Sequence, residues 1–363
     1  MTFSLPSKIV LMIFSGLLFA IFCAPFAVRL AKRIGAIDMP DSASHKRHKL
    51  PMPLAGGLIA FAGSWLLFAL FGLWNQPSFR GVLLSSVVIF IFGLLDDVYG
   101  LSAPKKFFGQ ILAATLLMKF GVLVLFLETV DLPFSQPFLA FLNQLLSIFW
   151  LVGITNAFNL IDSMDGLVAG LTLIIAGFFT FITFLAGQGN LALFSSLLIG
   201  LSLGLYLYNR HPAHFFLGDS GSQYLGFFLA ALAILYRPPD LNPKSTWFIP
   251  ILLLGIPIFD TSLVVFSRLR RGKPIFQADR SHTYHRLVAF GFRPNIAVLL
   301  IQAVALSLSS AAFVIMYLPP TAAIFLFTLI VGLGTFSILF FEKKTLCKRS
   351  EGGLKASTDC ADC

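Results

Sequence analysis

The chain has 363 residues, of which 57% are apolar and only 12% charged, with 41 Phe and a formal net charge of +10. Soluble domains carry roughly 25% charged residues, so this composition excludes an ordinary soluble globular protein. The basic residues sit in loops and in the tail, which points to membrane topology and away from nucleic acid.

Uncharged runs such as Phe138 to Ile161 and Leu167 to Leu185 are long enough to cross a hydrocarbon layer of about 30 Å. They are continuous and do not alternate, so they predict helices and not a barrel. The first span lies near Ile9 to Leu30 and reads as a retained span, because no small-residue cleavage site follows it. A polar loop with His45, Lys46, Arg47, His48 and Lys49 precedes the second span, near Leu54 to Trp74. The third, near Gly81 to Leu95, runs into Asp96-Asp97; the fourth, near Phe107 to Leu127, holds Lys119 within it, expected to snorkel outward. The fifth, from Phe138, ends in Asn156-Ala157-Phe158-Asn159-Leu160-Ile161-Asp162-Ser163-Met164-Asp165-Gly166. The sixth covers Leu167 to Leu185, the seventh Leu191 to Tyr208 and the eighth Gln223 to Tyr236. The ninth, near Trp247 to Ser267, contains Asp260 after Pro257, and two more lie near Asn295 to Tyr317 and Thr321 to Phe341.

The expectation is an all-α polytopic membrane protein with about eleven transmembrane helices. One set of loops carries nearly all the Lys and Arg, against only Lys8, Arg80, Arg237 and Lys244 on the other side. The positive-inside rule then puts the N-terminus outside and the C-terminus in the cytoplasm. Residues 1–341 read as a single transmembrane catalytic domain with cytoplasmic loops at 32–53, 96–106, 156–166, 209–222 and 268–294. Residues 342–363 read as a basic, disordered cytoplasmic tail. Its Cys360 and Cys363 form a C-x-x-C with no second pair, weak support for zinc, and four Cys do not make a disulfide framework. On this topology Asp96, Asp97, Asp162, Asp165, Asp219 and Asp279 all fall on the cytoplasmic side, which is the geometry of a site.

If the fifth helix continues through Asp165, steps of three place Asn156, Asn159, Asp162 and Asp165 on one drifting polar stripe. Such a stripe needs water, a metal or a polar ligand; the alternative is an interhelical seam of amides. Asp96-Asp97, near Lys105-Lys106, is a carboxylate pair of the kind a divalent cation or a raised pKa relieves, or else an ordinary charged helix end. Leu217-Gly218-Asp219-Ser220-Gly221-Ser222 opens the eighth span with backbone N–H groups suited to phosphate. A carboxylate there repels phosphate, and Mg²⁺ between Asp219 and a diphosphate resolves the conflict; a plain N-cap is the bland reading. His282, His285 and Arg286, like His45 and Lys46, suit phosphate contacts better than zinc. Asp260 is an intramembrane carboxylate, hence a functional candidate, or the cap of a broken helix.

Taken in order, Asp96-Asp97 with Lys106-Phe107-Phe108-Gly109-Gln110, Asn156 to Leu167, Phe216 to Ser222 and Asp279 to Leu287 resemble the motifs of the polyprenyl-phosphate N-acetylhexosamine-1-phosphate transferases. The resemblance spans Asp38 to Arg293. It implies transfer of a sugar-1-phosphate from a UDP-activated amino sugar to undecaprenyl phosphate, with release of UMP, at the inner membrane of a bacterium. GlcNAc is the first expectation for the sugar; GalNAc, a deoxyhexosamine or MurNAc-pentapeptide come after it. It implies Mg²⁺, with Mn²⁺ as a substitute, and leaves a homodimer open. Asp96 and Asp97 would match the pair tied to lipid-phosphate activation or metal binding, and Asp219 the metal-binding carboxylate. Asn156, Asn159, Asp162 and Asp165 would match the nucleotide and metal region, and His282, His285 and Arg286 the His-rich loop. Tyr284 stands where the family often has a His, which disfavours the pentapeptide branch, as Pro51-Met52-Pro53-Leu54-Ala55-Gly56-Gly57 also does. A cation-coupled transporter, the reading of another class, requires mid-membrane acids and repeat symmetry, and neither is evident in the chain.

Overall fold

The computed structural model describes residues 4–40, 50–129, 133–238, 247–272 and 282–351, with side chains left aside at 128–129 and 343–351. It is all helical apart from a two-residue ladder, β1 (Ile37–Asp38) with β2 (Met52–Pro53). The helices are α1 (Leu5–Ile34), α2 (Gly56–Leu70), α3 (Pro77–Tyr99), α4 (Ala103–Met118), α5 (Gln136–Ile161), α6 (Leu167–Leu185) and α7 (Gly189–Asn209). They continue as α8 (Gly218–Leu235), α9 (Ile249–Leu253), α10 (Gly255–Arg270), α11 (Thr283–Ala289), α12 (Pro294–Ile315) and α13 (Pro320–Glu351).

Every apolar segment expected to span is helical, and seven of these helices are long and apolar enough to cross a membrane. They are α1, α3, α5, α6, α7, α12 and α13 up to Glu342. Three expectations need correction. The fourth span stops at Met118, so Lys119 caps the helix end and does not lie within it. The ninth is broken at Leu254 into α9 and α10, on either side of a residue with φ −91° and ψ 14°. The tail expected to be disordered from 342 is helical to Glu351.

Without water to squeeze out, helices in lipid associate through close backbone packing and polar contacts, and small residues allow both. Helix α1 follows that rule: Met12, Gly16, Ala20, Ala24, Ala27 and Ala31 form its buried seam, while Phe14, Phe22 and Phe26 point outward. A Cβ on Gly16 would come within 3.1 Å of the Gly200 backbone in α7.

The centre of the bundle is α8, buried continuously from Ser220 to Ile234 and packed by α3, α5 and α2. Phe228 is its aromatic hub, stacked on Tyr224 with ring centroids 4.7 Å apart and edge-on to Phe68 and Phe194. The segment before α2 is stitched to the segment before α8. Phe216 N–H donates to Pro53 O (3.0 Å), Ala55 and Gly56 N–H to Phe216 O (3.1 and 3.2 Å), and Gly57 N–H to Leu217 O (3.1 Å). The Pro-rich loop identified in the sequence therefore fixes where α8 begins.

Candidate active site

The ends of α3, α5 and α7 and the beginnings of α4, α6 and α8 meet at one end of the bundle. Asp97, at the end of α3, accepts hydrogen bonds from the backbone N–H groups of Asp219 (2.7 Å) and Ser220 (3.1 Å) and from Ser220 Oγ (2.5 Å). The first N–H groups of a helix have no partner within it, and the helix dipole favours a carboxylate there. Asp97 thus caps α8 from another helix. Two glycines permit the approach. Gly218 adopts φ +74°, and a Cβ there would lie 2.6 Å from Asp97 Oδ2. A Cβ on Gly93, one turn before Asp97, would lie 2.5 Å from Ser220 Cα.

Capped this way, Asp219 turns its own carboxylate to the opposite side. Its Oδ2 accepts from Lys106 Nζ (2.7 Å), Asn159 Nδ2 (3.2 Å) and Gln223 Nε2 (3.4 Å). Lys106 also pairs with Asp96, whose Oδ1 accepts the Leu101 N–H (2.5 Å). The ammonium group is therefore shared between carboxylates from α3 and α8. Asn159 Oδ1 accepts from Ser222 Oγ (2.9 Å), and Gln110 Nε2 donates to Gln223 Oε1 (3.0 Å) deeper in the bundle.

The polar stripe on α5 is only half helical. Asn156 and Asn159 are on the helix, but it ends at Ile161, and Asp162 caps it with φ −75° and ψ 54°. A turn follows, and Gly166 at φ +75° starts α6. The turn carries Asp165 away toward His211 Nδ1, 3.0 Å off. Asp162 stays with the cluster: burial first, then the carboxylates of Asp219, Asp97 and Asp165, push its pKa well above the usual carboxylate range. Neither Asn156 nor Asp162 has a side-chain hydrogen bond among the described residues. The turn is held by Gly166 N–H to Asn209 Oδ1 (3.0 Å) and by Gln302 Nε2 to Gly166 O (3.0 Å), which brings α12 to the same end.

The His-rich loop forms a second polar group. Asp260, on α10, accepts from the Thr283 N–H (2.7 Å) and faces His282 Nδ1 (2.7 Å). It does cap a helix, though that helix is α11 and not its own. His285 is half-buried one turn along. Arg286, expected to contact phosphate, is 5% exposed and gives a short hydrogen bond (2.5 Å) to Glu342 on α13, so its guanidinium is engaged inside the protein. Between the end of α5 and helices α9 to α13 lies a cavity of about 640 Å³, walled by Ile161, Leu300, Val304 and Phe327, with Asp260 and Thr283 in its lining. His45 and Lys46, and likewise Asp279 and Arg280, lie outside the described residues.

Among the described residues no group of three or more His, Cys, Asp or Glu side chains is placed to hold a metal ion by itself. The donors present are hard carboxylate and amide oxygens, the kind Mg²⁺ and Mn²⁺ take in small number while the ligand supplies the rest. Lys106 already places one cationic group between Asp96 and Asp219, and Asp162 beside them has no donor. These residues fit a divalent cation. Sequence reasoning did not single out Ser220, Ser222 and Gln223 as site residues, although all three stand in or beside the motif that opens α8. It missed Gln302, a lone polar residue in an apolar run, and Glu342, which reads as the first charge of the basic tail; neither has a neighbouring motif.

A family model for glycosyl transferase family 4 matches residues 79–237, the stretch that carries Asp96-Asp97, Asn156 to Gly166 and Asp219. The chain is 35% identical over 317 residues to a probable undecaprenyl-phosphate N-acetylglucosaminyl 1-phosphate transferase of Bacillus subtilis, covering 85% of each chain. It is 32% identical over 337 residues to the decaprenyl-phosphate N-acetylglucosaminephosphotransferase of Mycobacterium tuberculosis, covering 84% of this chain and 82% of that one. It is 29% identical over 294 residues to the undecaprenyl-phosphate alpha-N-acetylglucosaminyl 1-phosphate transferase of Escherichia coli, covering 78% of each. With 35% identity across 85% of both chains and the motifs together at one end of the bundle, the chain belongs to glycosyl transferase family 4, the polyprenyl-phosphate N-acetylhexosamine-1-phosphate transferases.

Proposed function

We propose that this protein is a membrane phosphotransferase that moves GlcNAc-1-phosphate from UDP-GlcNAc to undecaprenyl phosphate, releasing UMP and starting a cell-envelope polysaccharide. The observation that carries this reading is the join between α3 and α8, where Asp97 caps α8 and Asp219 is left facing Lys106 and Asp96. Both substrates are phosphates, one lipid-borne and one water-borne. Phosphoryl transfer needs charge neutralisation and in-line positioning more than covalent help from the protein.

Asp97 positions the start of α8, since both its oxygens accept donors from that helix. Lys106, exposed by 28% between Asp96 and Asp219, is the group that meets the lipid phosphate. Asp219 and Asp162 would hold Mg²⁺, which when bound supplies positive charge at the diphosphate. Asn156 and Asn159 take nucleotide contacts, with His282 and His285 approaching from the other side on the loop that Asp260 fixes. The apolar cavity behind Asp260 and Thr283 offers room for isoprene units of the acceptor.

In the same reading the eleven helical segments all cross the bilayer, with α9 and α10 as one broken crossing. The N-terminus is outside, the C-terminus and the active-site end are cytoplasmic, and residues 1–341 act as one catalytic domain in the bacterial inner membrane. Positive loop charge at 268–271 and 105–106 supports that orientation.

The test is membranes containing the protein, incubated with radiolabelled UDP-GlcNAc and undecaprenyl phosphate. Mg²⁺-dependent label in a lipid-linked product is expected, and Asp219→Asn should lower it by roughly 10²-fold or more at equal expression, the scale seen when a charge-stabilising group is removed. Absence of product from any UDP-amino sugar overturns the reading.

A further inference from the structure

Glu342 is a carboxylate on α13, a helix whose side chains from Ile324 to Phe341 are all exposed or half-buried. It is nonetheless fully buried. Arg286 Nη2 lies 2.5 Å from its Oε1, and Arg271 Nη2 lies 3.6 Å from the same atom. Arg271 caps the end of α10, and Arg286 belongs to α11. A buried charge in this setting is costly unless paired, and removing one partner of such a pair leaves the other stranded. One end of α11 is tied to α10 by Asp260, through His282 and the Thr283 N–H. The Arg286–Glu342 pair ties the same short helix to α13, one residue from His285. Tyr284 is buried and α11 packs on α12, and the two polar ties fix the orientation of a helix already seated there; without the pair to Glu342, the turn of α11 that carries Arg286 loses its link to α13. His285, packed on Tyr284 with ring centroids 5.2 Å apart, lies on that turn.

We propose that Glu342 is a positioning residue: through Arg286 it sets the orientation of α11 and so the placement of His285 toward the sugar nucleotide. The proposal rests on the transferase reading for its kinetic consequence only. Glu342 touches no substrate, so the expected signature is a selective weakening of donor binding. Glu342→Gln, which keeps the shape and removes the charge, should raise KM for UDP-GlcNAc by about 10-fold, the scale on which supporting residues act. KM for undecaprenyl phosphate should stay within about 2-fold of the starting protein. Glu342→Asp, which keeps the charge, should recover much of the donor KM.

A readout that needs no activity is the rate at which diethylpyrocarbonate modifies His285 in membranes, followed by mass spectrometry. Glu342→Gln should change that rate relative to His214, and Glu342→Asp should bring it back toward that of the starting protein. If the His285 rate and the donor KM are both unchanged in Glu342→Gln, the proposal fails. It also fails if the two KM values rise together, which marks a general structural loss. If no protein transfers sugar phosphate but the labelling pattern holds, the transferase reading falls and the positioning role stands.

Discussion

Asp162 and Asp97 show how two nearby carboxylates of one cluster come to different work. Asp97 has three donors from α8 and is spent on holding that helix. Asp162 has none among the described residues and is crowded by negative neighbours. Its folded-state pKa is raised above the unfolded value of about 3.9. The folded protein therefore holds this proton more tightly than the unfolded chain does. That stabilisation is fully present below the unfolded pKa and is lost as pH rises through the folded pKa. In metal-free buffer the thermal midpoint should accordingly fall as pH is raised above the ordinary aspartate range, and Asp162→Asn should flatten the fall. If Asp162 is a metal ligand, Mg²⁺ displaces that proton, so the Mg²⁺-induced rise in midpoint should grow with pH and shrink in the same variant. For Asp97→Asn, an amide replaces one acceptor with a donor facing the helix's own N–H groups. A loss of roughly 1–3 kcal/mol is expected, read as a lowered midpoint in detergent alongside lost activity.

At the level of elements, the site depends on how closely α3 and α2 approach the start of α8. Gly93 and Gly57 each face Ser220, and a Cβ at Gly57 would fall 2.2 Å from Ser220 Oγ. Backbone atoms block the Cβ at Gly93, so a neighbouring side chain cannot simply rotate aside. Gly93→Ala should cost about 1–3 kcal/mol as overpacking and separate Asp97 from the Asp219 N–H. Thermal denaturation and transfer rate measured together test this, because both should fall. An unchanged midpoint with normal activity would contradict the packing. The break at Leu254 belongs to the same scale. It brings α10 to the end of α5, where Asp260 meets Thr283, and Gly255 gives it clearance from Leu308, 2.9 Å from a Cβ built there.

Across the whole molecule, the carboxylates, Lys106 and the histidine loop all lie at one end of the helices, and alternation of the chain forces the short turn at residues 186–189 to the other. If the proposed orientation holds, single cysteines placed in a cysteine-free background should report it. Asn190→Cys, exposed at the start of α7, should react with a membrane-impermeant maleimide on intact cells. Ser102→Cys, exposed before α4, should react only after the membrane is opened. The reverse pattern would place the site outside and disqualify a cytoplasmic sugar nucleotide as donor.

The sequence by itself determined the solvent, the class and the neighbourhood of the chemistry. Backbone groups in lipid must be satisfied internally, by a helix or a closed barrel, and uncharged runs of membrane length without alternation select the helix. The uneven placement of Lys and Arg put Asp96, Asp97, Asp162 and Asp219 on one side, and the order of the motifs pointed to the family. Only the tertiary structure decided what each residue does within that end. Periodicity carried a helical stripe through Asp165, but the chain turns at Asp162, and the two aspartates part company. Arg286 looked like a phosphate contact because it stands beside two histidines; it is engaged by Glu342, the first residue that composition assigned to a loose tail. Such pairings join residues far apart in sequence, and a local pattern cannot encode which distant partner a charge will find. The physical reason is that burial makes an unpaired charge costly, and burial is a property of the assembled bundle.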